Sequence, residues 1–236
     1  MVYIFLVLVI LIIITKLIYT EYSAKQLLEL TKDEELDNIT KGLPNNKEIC
    51  KQILEQIDNK DVKIDFSVDE KSTTSFYNVF SNTILLANSE IANKSFARLM
   101  FISHECWHSK QNKKFLWSNF ILANINMIYL FATIVLSILN VISQNIFYIL
   151  FGIYLILNLF GFFARNIIET EATYMAYIVS KEYLEKNYED TIVKKITQRY
   201  KDILSKGTTN FLFGLFTNNL IQIIIYMLIG LVKGWW

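Results

Sequence analysis

Apolar positions along this chain gather into four blocks, and the polar positions gather between them. The first block runs from Val2 to Tyr19 and is broken only by Lys16. The second runs from about Trp117 to Leu139, the third from Ile146 to Ala164, and the fourth from about Phe211 to Val232. At about 1.5 Å per residue, blocks of this length are close to or beyond what a hydrocarbon core of about 30 Å requires. Each therefore predicts a membrane helix, about four in all. The uncharged link Asn140–Asn145 is so short that the second and third blocks predict a helical hairpin. Asn218, Asn219 and Gln222 interrupt the fourth block, which predicts either a span facing other helices or an interfacial segment. Trp235 and Trp236 beside Lys233 predict an interfacial anchor. No basic residue precedes the first block and no small-residue cleavage pattern follows it, so a retained anchor is expected there.

The polar stretches carry shorter periods. Ala24–Asp37 and Lys47–Asp58 have the spacing of amphipathic helices, with Leu43-Pro44-Asn45-Asn46 as the break. Asp61–Val68 alternates with period two and predicts a strand, as does Asn82–Ala87. Phe96 to about Gln111 predicts a helix with Ser95 as its cap. The expected organisation is an anchor helix over 1–20, a soluble part over 21–116, a transmembrane hairpin over 117–164, a soluble helical segment over 165–210 and a last membrane helix over 211–236. The fold class is a mainly α membrane protein with a small α+β region of the zincin type.

Composition agrees with lipid as the solvent. Residues of the AVILMFWYC set make up 53% of the 236 positions and charged residues only 19%, below the usual ~25%. With a net charge of +1, nucleic acid is not an expected partner, since phosphate binding needs a concentrated positive surface. Of the 23 basic residues, thirteen lie between Glu21 and Lys114 and eight between Arg165 and Lys206. If every block spans, both charged stretches share one face. The charges beside the spans, Lys110, Lys113, Lys114 and Arg165, assign that face to the cytoplasm. An integral protein of the cell (inner) membrane, with the lipid bilayer as a partner, follows. Two cysteines, Cys50 and Cys106, are too few for a disulfide framework.

The chain holds just two histidines, and they stand four apart in His104-Glu105-Cys106-Trp107-His108. Chance would produce this HExxH pattern in on the order of one in two thousand such compositions. On a helix, i and i+4 share a face, so both imidazoles can reach one metal ion. Glu105 projects about 100° round from His104, where it can act as general base on an activated water. Cys106 sits on the opposite side of the helix and has no further His to activate it, so it reads as a packing residue.

A site of this kind needs a third protein ligand, and no other His exists. Acidic residues after Glu105 are sparse until Glu169 and Glu171, just beyond the third block. The hairpin returns the chain to the face it left after His108, which brings these two near the histidines. They are about 200° apart on a helix, so only one can point at the metal. The other is expected to orient a His by accepting its free N–H.

These residues carry a family likeness. The chain resembles the YugP-like membrane-bound neutral zinc metallopeptidases, and more distantly the HtpX-like and prenyl-protein peptidases. Over roughly 1–185 it shows one anchor helix, Thr83-Ile84-Leu85-Leu86, Ser95-Phe96-Ala97-Arg98, His104 to Gln111 in place of HEVGHAxQ, the hairpin, and Glu169-Thr170-Glu171-Ala172-Thr173 with Ala176. The resemblance implies that His104, His108 and Glu169 bind one Zn²⁺ and that Glu105 is the catalytic base. Trp107 stands where the family has Gly, Ser109 where it has Ala, and Glu171 where it has Asp. The implied activity is a membrane-anchored zinc-dependent endopeptidase acting on peptide or membrane-protein substrates. The alternative is an inactive zinc-binding relative that serves as an interaction or scaffold protein. Tyr174 and Arg165 are candidate oxyanion donors, and Asn82–Ala87 is a candidate edge strand for an extended substrate.

Overall fold

The computed structural model describes residues 2–69, 72, 74–89 and 93–235. Among the described residues, seven helices and three strands follow in order: α1 (Val2–Leu30), α2 (Glu34–Thr40), α3 (Asn46–Gln56), β1 (Lys63–Phe66), β2 (Phe76–Asn78), β3 (Thr83–Leu86), α4 (Arg98–Lys110), α5 (Lys113–Ile138), α6 (Gln144–Asn187) and α7 (Asp190–Val232). The chain divides into two compact units. One comprises 1–23, 117–167 and 209–236; the other comprises 24–116 and 168–208.

The helices α5, α6 and α7 are 26, 44 and 43 residues long and apolar enough to cross a membrane, and their stretches 117–138, 144–167 and 209–232 belong to the first unit. The α5–α6 hairpin turns at Asn140, whose φ of 58° is a left-handed conformation that asparagine tolerates. The N–H of Val141 reaches back to the carbonyl of Leu136 and closes the helix end. Burial on α5 is inverted relative to a water-soluble helix. Asn119, Asn126, Thr133 and Ser137 are buried, while Phe120, Ile128 and Phe131 are exposed. Tyr154, Asn158 and Gln222 join in a hydrogen-bonded cluster between α6 and α7. Phe147, Tyr154 and Tyr226 form the centre of the packing. Lys16 donates to the side chain of Asn218, so the one charge in the first block is satisfied by a neighbouring helix. Trp235 packs on Phe147 at 4.9 Å between ring centroids; Trp236 lies outside the described residues.

The second unit carries the chemistry-bearing residues. Its core joins Ile49, Cys50 and Ile53 of α3, Ile84 and Leu86 of β3, Leu99, Ile102 and Cys106 of α4, Ala176, Val179 and Leu184 of α6, and Ile196 and Tyr200 of α7. The sheet has the order β1-β3-β2. β1 runs parallel to β3 and β2 antiparallel to it, with Tyr77 opposite Ile84.

Several sequence expectations are corrected. The helix expected over Ala24–Asp37 is two: Ala24 continues α1, and Asp33 caps α2 by accepting the Leu36 N–H at 3.1 Å. A capping aspartate followed by three acidic residues in seven favours a new helix start there. Ser95 is not the cap of α4. Its hydroxyl donates to the Thr31 carbonyl at 3.0 Å and accepts from Ala97 N–H, and Ala97 takes the cap position without a side-chain bond. Asn82–Ala87 is not an edge strand. β3 has a partner on each side, and the edges are β1 and β2. β2 is three residues long, too short for any alternation to show in the sequence.

Candidate metal centre

α4 presents its histidines because its opposite face is committed to the core. Leu99, Ile102, Ser103 and Cys106 are buried at helical spacing. That phase turns His104 and His108 toward α6. On α6, Ala172 and Ala176 stand one turn apart and both are fully buried. Ser180 donates to Ser103 at 3.0 Å and fixes the register. The result places Glu169 against both imidazoles.

His104 Nε2 and His108 Nε2 lie 3.0 Å apart. The Glu169 carboxylate oxygen Oε2 is 3.4 Å from the first and 3.6 Å from the second. A tetrahedral ion with bonds of about 2.0–2.1 Å has ligand–ligand edges of about 3.3 Å. The three observed separations bracket that value. A triangle with these sides has a circumradius of about 1.9 Å, so one ion at bonding distance can touch all three atoms. Among the described residues this is the group of His, Cys, Asp and Glu able to hold a metal ion. Two imidazoles and one carboxylate suit zinc or a similar first-row divalent ion and leave an open position. Side-chain exposures of 21%, 12% and 13% for His104, His108 and Glu169 put the site in a recess that a small solute can still reach.

The other ring nitrogens are held as well. His108 Nδ1 lies 2.8 Å from Gln111 Oε1, and His104 Nδ1 lies 3.4 Å from the Thr173 hydroxyl. With Nε2 as the acceptor atom, each Nδ1 carries the proton and donates it to these oxygens. Gln111 is held in turn by donating from Nε2 to the Ile168 carbonyl at 2.9 Å and to Glu171 Oε2 at 3.1 Å. Trp107 Nε1–H donates to the other oxygen of Glu171 at 3.2 Å. The expectation that Glu171 takes a histidine N–H directly is therefore corrected: it acts one residue further out, through Gln111. Trp107 has a partner that a Gly at this position could not supply, and the longer Glu171 is the group that meets both. Gln111→Ala or Glu171→Ala is expected to weaken metal binding about 10–100-fold while leaving all three ligands in place, as measured by competition with a chromogenic chelator.

Glu105 faces the sheet. Its Oε2 accepts the main-chain N–H of Tyr77 on β2 at 2.7 Å. Burial pushes the Glu105 carboxyl above the usual carboxylate range, with Glu169 adding to the push; His104, His108 and the Tyr77 N–H oppose it. For His108, burial disfavours the cation, but the Glu169 hydrogen bond and the Glu105 charge outweigh it and raise its pKa. A metal at this site would compete with that proton for Nε2, so binding is expected to weaken as pH falls. Cys106 is fully buried 3.6 Å from the Cys50 sulfur, and burial pushes its thiol well up, which disfavours the nucleophilic thiolate.

No protein-family model, curated protein or solved structure matches the chain.

His104, His108 and Glu169 come together with Glu105 beside them. Tyr174 is 58% exposed, and Arg165 belongs to the other unit. Gln111 and Thr173 could have been found from spacing, since Gln111 is one turn after His108 and Thr173 one turn after Glu169. The Tyr77 N–H could not, because a main-chain donor leaves no mark in the sequence.

Proposed function

We propose that this chain is a membrane-anchored, zinc-dependent endopeptidase. The observation that supports it best is the triangle of His104 Nε2, His108 Nε2 and Glu169 Oε2, with Glu105 next to His104 on the same helix. Those three atoms would hold the ion. Bound there, zinc supplies Lewis acidity and lowers the pKa of water toward ~7. Glu105 takes a proton from the attacking water and returns it to the leaving amine. Gln111 and Thr173 keep each histidine in the tautomer that offers Nε2.

Membrane anchoring is supported by the inverted burial of α5 and by the length of α5, α6 and α7. Lipid favours polar residues turned inward and apolar ones turned out. The charges flanking the spans favour a cytoplasmic catalytic unit. The test uses the full chain in detergent. One zinc per chain and peptide hydrolysis, lost with a chelator and restored by zinc, are expected. Zinc binding without hydrolysis would favour the scaffold reading, and no bound metal would reject both.

A further inference from the structure

The geometry points to the main-chain N–H of Tyr77 as the group that positions the catalytic base, an inference that rests on the peptidase reading above. In an antiparallel ladder, successive residues alternate between pairs that exchange N–H···O bonds and pairs that do not. Tyr77 stands opposite Ile84, yet its N–H goes to Glu105 Oε2 at 2.7 Å. Tyr77 and Ile84 are thus a pair without mutual hydrogen bonds, and the polar groups of Tyr77 point to the free edge of β2. Phe76 and Asn78, opposite Leu85 and Thr83, direct theirs to β3.

One donor on a three-residue edge strand is therefore aimed at the one carboxylate that HExxH chemistry requires. A carboxylate has two oxygens. With Oε2 gripped by a rigid amide, the plane of the carboxylate is fixed and Oε1 is the oxygen left to take the proton from water. The side chain cannot supply this function, because the Tyr77 hydroxyl donates to Asn82 at 2.8 Å, in the turn to β3. That bond, with Asn82 at φ 51° donating to the Asp61 carbonyl at 3.0 Å, ties β2 to the start of β1. The short strand is braced at the point where it presents its amide. Tyr77 is a positioning residue in this scheme, acting on the reaction through Glu105.

The test replaces the Tyr77 amide by an ester, through incorporation of 4-hydroxyphenyllactic acid into the full chain. This removes the N–H and keeps the phenol ring. The same replacement at Phe76, with phenyllactic acid, removes a ladder N–H directed at β3 and serves as the structural control. The expected result is a fall in kcat of about tenfold to hundredfold at Tyr77, from loss of a hydrogen bond to a charged group. KM and zinc content stay at the wild-type values, and the Phe76 ester stays close to wild type in all three. An unchanged kcat at Tyr77 overturns the proposal, as does a rise in KM alone, which would assign the amide to substrate. Equal losses in both esters also overturn it, since they would mark a general effect on the sheet. If wild type and Glu105→Gln hydrolyse peptides equally, the peptidase reading itself has failed and this proposal falls with it.

Discussion

Glu105→Gln is expected to leave one zinc ion per chain and to lower kcat by about 10²–10⁴-fold. The amide keeps the size of the carboxylate and can still accept the Tyr77 N–H through its oxygen, so the local fold survives. It cannot take a proton from water. The raised pKa of Glu105 gives the same substitution a second effect. Removing an ionisable group from a desolvated position beside Glu169 relieves charge repulsion in the metal-free protein, so its thermal stability should not fall. Metal content by elemental analysis and hydrolysis of a peptide library read the two effects separately. Wild-type turnover in this variant would remove Glu105 from the reaction. Loss of zinc would give Glu105 a part in holding the metal that its bond to the sheet does not suggest.

The two halves of the site were unequally visible in the sequence. The histidine pair was legible because a helix converts a spacing of four into a shared face, and that conversion needs no tertiary information. Glu169 was one of two candidates until the helix phase of α6 was known. Ala172, Ala176 and Val179 are buried. They fix which way α6 turns, and Glu169 then points to the imidazoles while Glu171 points to Gln111 and Trp107. Short strands and single amides were invisible. β2 is three residues long, and its contribution to the site is one main-chain N–H. Without β2, analogy with other zinc peptidases suggested that Asn82–Ala87 is an exposed edge. With it, both sides of β3 are paired, and the edge next to Glu105 is a different strand. The apolar blocks were read from length alone, whereas the inward turn of Asn119, Asn126 and Thr133 needed the packing of the hairpin.

The choice between the two glutamates is open to a direct measurement. Glu169→Ala is expected to weaken zinc binding about 10²–10³-fold. That is the loss of roughly 3–4 kcal/mol, about a quarter of the ~10–16 kcal/mol of a four-ligand zinc site. What remains is two imidazoles with Nε2 atoms 3.0 Å apart, which bind zinc as a weak bidentate pair. Glu171→Ala removes a carboxylate of the same charge two residues away. Its effect travels through Gln111 to the tautomer of His108 and stops at about 10–100-fold. A purely electrostatic account of the site would make the two variants alike, since each deletes one negative charge near the ion. A coordination account makes them unlike, and predicts that Glu169→Gln is nearly as damaging as Glu169→Ala because a neutral amide is a poor ligand for zinc. Titration of each purified variant with a zinc indicator decides between the accounts. Full zinc binding by Glu169→Ala would reject the triangle of donor atoms on which the peptidase reading stands.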